Sequence, residues 1–178
     1  MKTIIIGDKT FEIFLPKEKI EEVIARMANK LNSEYADKGP LFLVMLNGAF
    51  MFAGDLFKKV NISCDISFVK YASYSGTRSS HNIKMLIGVN ENVRGRDIVI
   101  VEDIVDSGLT MESLMKDLRE WEVKDIKIAT LLFKPEAFTK DYKIDYIGME
   151  IPNDFIVGYG LDYDGKGRNL PEIYKLKS

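Results

Sequence analysis

Residues 98–110, Ile-Val-Ile-Val-Glu-Asp-Ile-Val-Asp-Ser-Gly-Leu-Thr, constrain this chain more than any other stretch. Ile98 to Val101 is an unbroken β-branched run, which reads as a strand buried on both faces. The strand is expected to end at Glu102 and Asp103. Asp106, Ser107, Gly108 and Thr110 suit a tight turn, and Leu114, Met115 and Leu118 follow at helical spacing. In open parallel sheets ligands bind at the carboxyl ends of the strands. A loop entering a helix there offers free N–H groups and a positive dipole end, which suit phosphate. Phosphate alone would not need the neighbouring acids. A sugar diol would, as would a magnesium ion bridging diol and phosphate. A plain strand end with solvated acids and a helix cap would show the same pattern.

The rest of the chain repeats the strand–helix alternation. Residues 3–6 and 10–14 read as a hairpin about Gly7-Asp8. A helix follows Pro16, with Ile20, Val23, Ile24, Met27, Leu31 and Tyr35 on one face, and Gly39-Pro40 ends it. Leu41 to Leu46 is a buried strand, then come Asn47-Gly48-Ala49 and a helix from Phe50 to Lys59. Cys64 to Lys70 is a further strand, and Ile83 to Val89 has the composition to pair as one. Ile126 to Phe133 is apolar and ends in Lys134-Pro135; Asp145 to Met149 is short and apolar. Residues 71–82 are polar and small, a loop long enough to be functional or disordered. His81, within it, is read as solvated.

This pattern predicts an α/β fold with a doubly wound, mainly parallel sheet built on strands near 41–46, 64–70, 97–102 and 126–132. The 178 residues suffice for one domain. Its core is expected over roughly 16–150, with a hood from 1–15 and 151–178 over the sheet's carboxyl edge. The net charge of −2 gives no electrostatic case for nucleic acid or an anionic membrane. No apolar run reaches the ~18 residues of a membrane span, and the first residues do not read as a signal peptide. A single cysteine, Cys64, excludes an internal disulfide or a multi-cysteine zinc site, and its setting suggests a buried, inert thiol. A cytoplasmic enzyme or binding protein is expected.

Val101 to Thr110 resembles the phosphoribosyl pyrophosphate-binding motif of the type I phosphoribosyltransferases, in the form used by hypoxanthine-guanine phosphoribosyltransferases. The resemblance extends over roughly residues 10 to 172. It implies purine salvage: magnesium-dependent transfer of phosphoribosyl to a 6-oxopurine, hypoxanthine and also guanine, giving IMP or GMP and pyrophosphate. Glu102 and Asp103 would hold the ribose diol and, with Asp162, the Mg2+. The loop from Asp106 through Ser107, Gly108, Leu109 and Thr110 would bind the phosphoribosyl group. Asp106 is the candidate general base. Asn47 and Gly48 would cradle pyrophosphate about a cis peptide, although the family commonly carries a basic residue where Asn47 stands. Arg168 would also reach the pyrophosphate, and Ser73-Tyr74 would close over it as a lid. Lys134 would donate to the purine carbonyl, Phe155 would stack on the ring, and the backbone from Asp154 through Ile156 to Val157 would read its edge. The resemblance implies a homodimer or homotetramer. A xanthine-preferring transferase and a non-catalytic regulator of the same fold are the alternatives.

Overall fold

The computed structural model describes residues 3–74, 82–89 and 91–177. In chain order the elements are β1 (Thr3–Ile6), β2 (Lys9–Leu15), α1 (Lys17–Glu34), β3 (Leu41–Met45), α2 (Phe50–Phe57), β4 (Asp65–Tyr74), β5 (Asn82–Ile87), β6 (Asp97–Val105), α3 (Leu109–Glu120), β7 (Asp125–Phe133), β8 (Tyr146–Glu150), β9 (Ile156–Val157) and β10 (Ile173–Leu176). Six strands form one sheet in the order β5-β4-β3-β6-β7-β8. All its pairings are parallel except β4 with β5.

Side chains alternate across this sheet, so each strand feeds two cores. Phe42, Val44, Val99 and Val101 pack with Val23 and Ile24 of α1 and Phe52 and Leu56 of α2. Leu41, Leu43, Ile98 and Ile100 pack on the other face with Leu114 and Leu118 of α3. The sheet is therefore doubly wound, as the continuous apolar strands require. Ser67, Val69 and Tyr71 are the inward set of β4, while Ile66 and Phe68 face outward.

The chain ends build a second sheet, antiparallel, in the order β1-β2-β10-β9. Ile6, Phe11, Val157 and Tyr174 are buried beneath it. Several local expectations change. Helix α1 ends at Glu34 and a turn spans 35–38, so Gly39-Pro40 lies beyond the helix. Cys64 precedes β4 and is only partly buried, with its thiol pushed up by desolvation. Residues 71–74 belong to β4 rather than to a loop, and Asn82 opens β5. The remainder of that stretch, including His81, lies outside the described residues.

Candidate active site

The site begins where two neighbouring strands have unequal lengths. β3 pairs with β6 only as far as Val44 opposite Val101. β6 continues beside β7 to Val105 opposite Phe133. The expectation that the strand ends at the acids is therefore corrected: Glu102 and Asp103 lie inside it. Acidic residues are poor strand formers, but the ladder to β7 overrides that preference.

Asp103 is 8% exposed. Ile104 N–H donates to its Oδ1 at 2.9 Å, and Asp103 N–H donates to Glu102 Oε1 at 3.2 Å. Burial, then the charge of Asp103, holds the Glu102 carboxyl well above its ordinary range. Burial also raises Asp103, against the pull of the Ile104 N–H and the Arg168 charge. Two adjacent carboxylates out of water favour a proton or a cation between them.

After Val105 the chain turns into α3. Gly108 sits at the helix entrance with φ 81°, and its carbonyl accepts from Tyr142 Oη at 2.7 Å. A Cβ there would strike Tyr142, Phe138 and Lys140. The first helical N–H groups have no intrahelical acceptor. They border a cavity of about 180 Å³, lined by Tyr71, Glu102, Asp106, Ser107, Leu109 and Thr110 among others. This is a phosphate-sized recess at a helix N-terminus.

The loop after β3 closes another side. Its cis peptide is Leu46–Asn47, one bond before the Asn47-Gly48 position expected. Gly48 packs so closely on the Asp103 carboxylate and on Gly160 that neither glycine has room for a Cβ. Gly160 carbonyl accepts from Arg168 Nη1 at 2.7 Å. Arg168 Nη2 lies 2.6 Å from Asp162 Oδ1, and Gly165 N–H donates to Asp162 Oδ2 at 2.7 Å. Asn47-Gly48, Asp103 and Arg168 are thus neighbours. Among the described residues no three His, Cys, Asp or Glu side chains form a metal cluster, so Asp162 does not join Glu102 and Asp103 in one.

Lys134 follows the buried end of β7 and is itself 7% exposed. Its Nζ lies 3.3 Å from Asp106 Oδ2, which joins two residues 28 positions apart. Phe155 is 46% exposed. Its ring meets Phe11 at 6.3 Å and Tyr163 edge-on at 5.9 Å, with Lys9 Nζ 5.7 Å from its centroid. One can stack on such a ring, whereas Ile156 and Val157 turn their side chains into the cores and leave only backbone to read an edge. Ser73 and Tyr74 lie at the end of β4, paired with Ile83 and Asn82. Three tyrosines were not foreseen: Tyr71 bonds Asp117 of α3 at 2.6 Å, Tyr142 holds Gly108, and Tyr159 bonds Asp55 of α2 at 2.6 Å. Nothing in their sequence spacing marks the partners.

An acid pair where β6 overhangs β3, a small-residue loop at a helix N-terminus and a hood over them define a phosphoribosyltransferase. The chain belongs to that family: the profile of the phosphoribosyl transferase domain matches residues 12–164. It is 41% identical over 167 residues to the hypoxanthine-guanine phosphoribosyltransferase of Bacillus subtilis, covering 93% of each chain. It is 37% identical over 170 residues to the hypoxanthine phosphoribosyltransferase of Escherichia coli, covering 94% of this chain and 96% of that one. The crystal structure of a Staphylococcus aureus hypoxanthine phosphoribosyltransferase superposes with a TM-score of 0.88 at 34% identity, covering 93% of this chain and 91% of that one.

Proposed function

We infer that this enzyme of purine salvage transfers phosphoribosyl from phosphoribosyl pyrophosphate to hypoxanthine, and also to guanine, and releases pyrophosphate. The observation that carries the reading is the contact of Lys134 with Asp106 at the mouth of loop 106–110. It sets a buried cation for a purine carbonyl beside a carboxylate that can take a purine proton.

The bond from the ribose anomeric carbon to pyrophosphate breaks, and a bond from that carbon to a purine imidazole nitrogen forms. The nitrogen's proton passes to Asp106, a general-base role. Lys134 Nζ, 3.3 Å from Asp106 Oδ2, would turn to the 6-oxo group when the base enters. Positive charge develops on the ribose and negative charge on the leaving group. Buried acids serve the first, and Arg168 and the backbone of Asn47-Gly48 serve the second, because fixed dipoles and charges act strongly in a dry site. Ser73-Tyr74 would cover the pyrophosphate and keep water from the cationic centre. Phe155 would hold the purine face.

The acids suit magnesium. Asp103 is a buried and Glu102 a half-buried hard-oxygen ligand, and side by side they favour a cation between them. Magnesium prefers substrate phosphates with one or two carboxylates to an all-protein cage. Bound through Glu102, Asp103 or Asp162, it would neutralise charge on the pyrophosphate as that group leaves. Among the described residues no helix is long and apolar enough to cross a membrane, and we assign the enzyme to the cytoplasm as a homodimer or homotetramer of one-domain subunits. Sedimentation would settle the subunit count.

The test is pyrophosphate release from phosphoribosyl pyrophosphate with each of hypoxanthine, guanine, xanthine and adenine. Hypoxanthine and guanine should react. Preference for xanthine would move the assignment to that base, and release with none would favour a regulator.

A further inference from the structure

Hood and sheet are joined at a tyrosine that the chemistry does not call for. Tyr159 lies between Gly158 and Gly160 with φ 49°. A bulky residue holds that left-handed conformation only where its surroundings impose it. Its side chain is 3% exposed and packs in the core shared by α1 and α2. Its hydroxyl donates to Asp55 Oδ2 at 2.6 Å, across 104 positions of sequence. Burial, and then that bond, push the hydroxyl's ionisation up, so it stays a donor.

The two ends of this contact lead to opposite walls of the site. Asp55 is on α2, which starts directly after the Asn47-Gly48 loop. On the hood side, Gly160 lies against the Gly48 carbonyl. Gly160 N–H donates to the Arg168 carbonyl at 2.9 Å, and Gly160 carbonyl accepts from the Arg168 guanidinium. Arg168 in turn holds Asp162. The turn 158–160 is thus fixed to α2 on one side and to Gly48, Arg168 and Asp162 on the other.

We propose that Tyr159 and Asp55 are positioning residues for the pyrophosphate end of the site. Their hydrogen bond sets the spacing between the Asn47-Gly48 loop and the Arg168–Asp162 pair, and neither side chain touches substrate. The proposal rests on the reading of function given above.

Tyr159→Phe keeps the ring and its packing and removes only the hydroxyl. Asp55→Leu removes the acceptor, and Asp55→Asn retains one. The readouts are phosphoribosyl pyrophosphate affinity by calorimetry, KM for each substrate, and Tm. Tyr159→Phe and Asp55→Leu should each weaken phosphoribosyl pyrophosphate binding by about tenfold, since a lost hydrogen bond to a carboxylate commonly costs that factor. KM for hypoxanthine should not follow. The double variant should be no weaker than Asp55→Leu alone, because both remove the Tyr159–Asp55 bond, and the exposed pair of Asp55 with Lys58, also lost in Asp55→Leu, contributes little. Asp55→Asn should keep most of the affinity. Unchanged affinity with only a lower Tm would make the contact merely structural and overturn the proposal, as would additive losses or equal losses for both substrates. If the wild type released no pyrophosphate, the reading of function would fail. If the wild type were active and Tyr159→Phe matched it, the positioning role alone would fail.

Discussion

Gly108→Ala probes the corner on which the phosphate recess depends. The residue has φ 81°, where an L side chain costs about 1–2 kcal/mol. The added Cβ would also lie 2.6 Å from Tyr142 Oη, 2.7 Å from Phe138 Cε2 and 2.9 Å from Lys140 Cγ. Lys140 is tied by its ammonium to Glu112 at 2.6 Å, and Phe138 is held edge-on between Phe133 at 5.3 Å and Tyr142 at 5.2 Å. Overpacking of such a site costs about 1–3 kcal/mol. For a chain of this length about 2–4 °C of Tm is lost per kcal/mol, so a fall of roughly 4–20 °C is expected. Phosphoribosyl pyrophosphate affinity should fall as well, because relief requires the loop to shift. Gly54→Ala is the control: nothing lies within 4 Å of a Cβ there, and an exposed helical glycine replaced by alanine should gain up to ~1 kcal/mol. In a Tyr142→Phe background the Gly108→Ala penalty should shrink without vanishing, since the backbone cost remains. Scanning calorimetry and substrate titration measure both effects. A Tm within ~2 °C of wild type would refute the steric argument.

Asp106→Asn should lower the single-turnover rate by ~10²–10⁴-fold while phosphoribosyl pyrophosphate still binds, the usual size of a lost general base; an unchanged rate removes Asp106 from that role. Glu102→Gln should raise Tm in substrate-free, metal-free protein near neutral pH. The folded-state pKa of Glu102 is raised, so its favourable term is full below the ordinary carboxylate value and is lost as pH rises through the folded value. The advantage of glutamine should therefore shrink on acidification, and a gain that grew at low pH would contradict the burial argument. A chelator should abolish pyrophosphate release, with magnesium restoring it, while leaving the Tm of substrate-free protein unchanged; a large Tm loss would point to a metal held by the protein itself.

The central sheet was legible because fully buried strands leave uninterrupted apolar runs, as in Leu41–Met45 and Ile98–Val101, and α1 because its apolar residues keep helical spacing. Loop 106–110 was legible because few residue types fit its backbone. The continuation of β6 through Glu102 and Asp103 was not, since pairing with β7 supplies hydrogen bonds that composition cannot advertise. The same holds for Tyr71: it sits among small polar residues, and only the fold brings Asp117 to it. The Lys134–Asp106 contact was half legible, as each residue stood at a strand's carboxyl end, but their mutual approach depends on the register of β6 against β7. The hairpin at residues 3–15 was clear locally, whereas its sheet with β10 joins segments some 160 positions apart, a separation that no local pattern can signal.

The overhang of β6 beyond β3 has a consequence for how the enzyme can change. Glu102 borders the α3-side recess, while Asp103 lies against Gly48 on the side of α2. One strand end therefore supplies an acid to each of two compartments, and the pleat assigns which acid goes where. Removing one residue of Ile98–Val101, just ahead of the acids, would exchange the two between compartments. Removing two would restore the assignment but lower both by roughly 7 Å, at about 3.3 Å per residue. Point substitutions can thus retune this site gradually, but length changes in β6 ahead of the acids act in discrete, alternating steps. Drift in this segment should be confined to residue identity, with variation in length displaced to the loops around it.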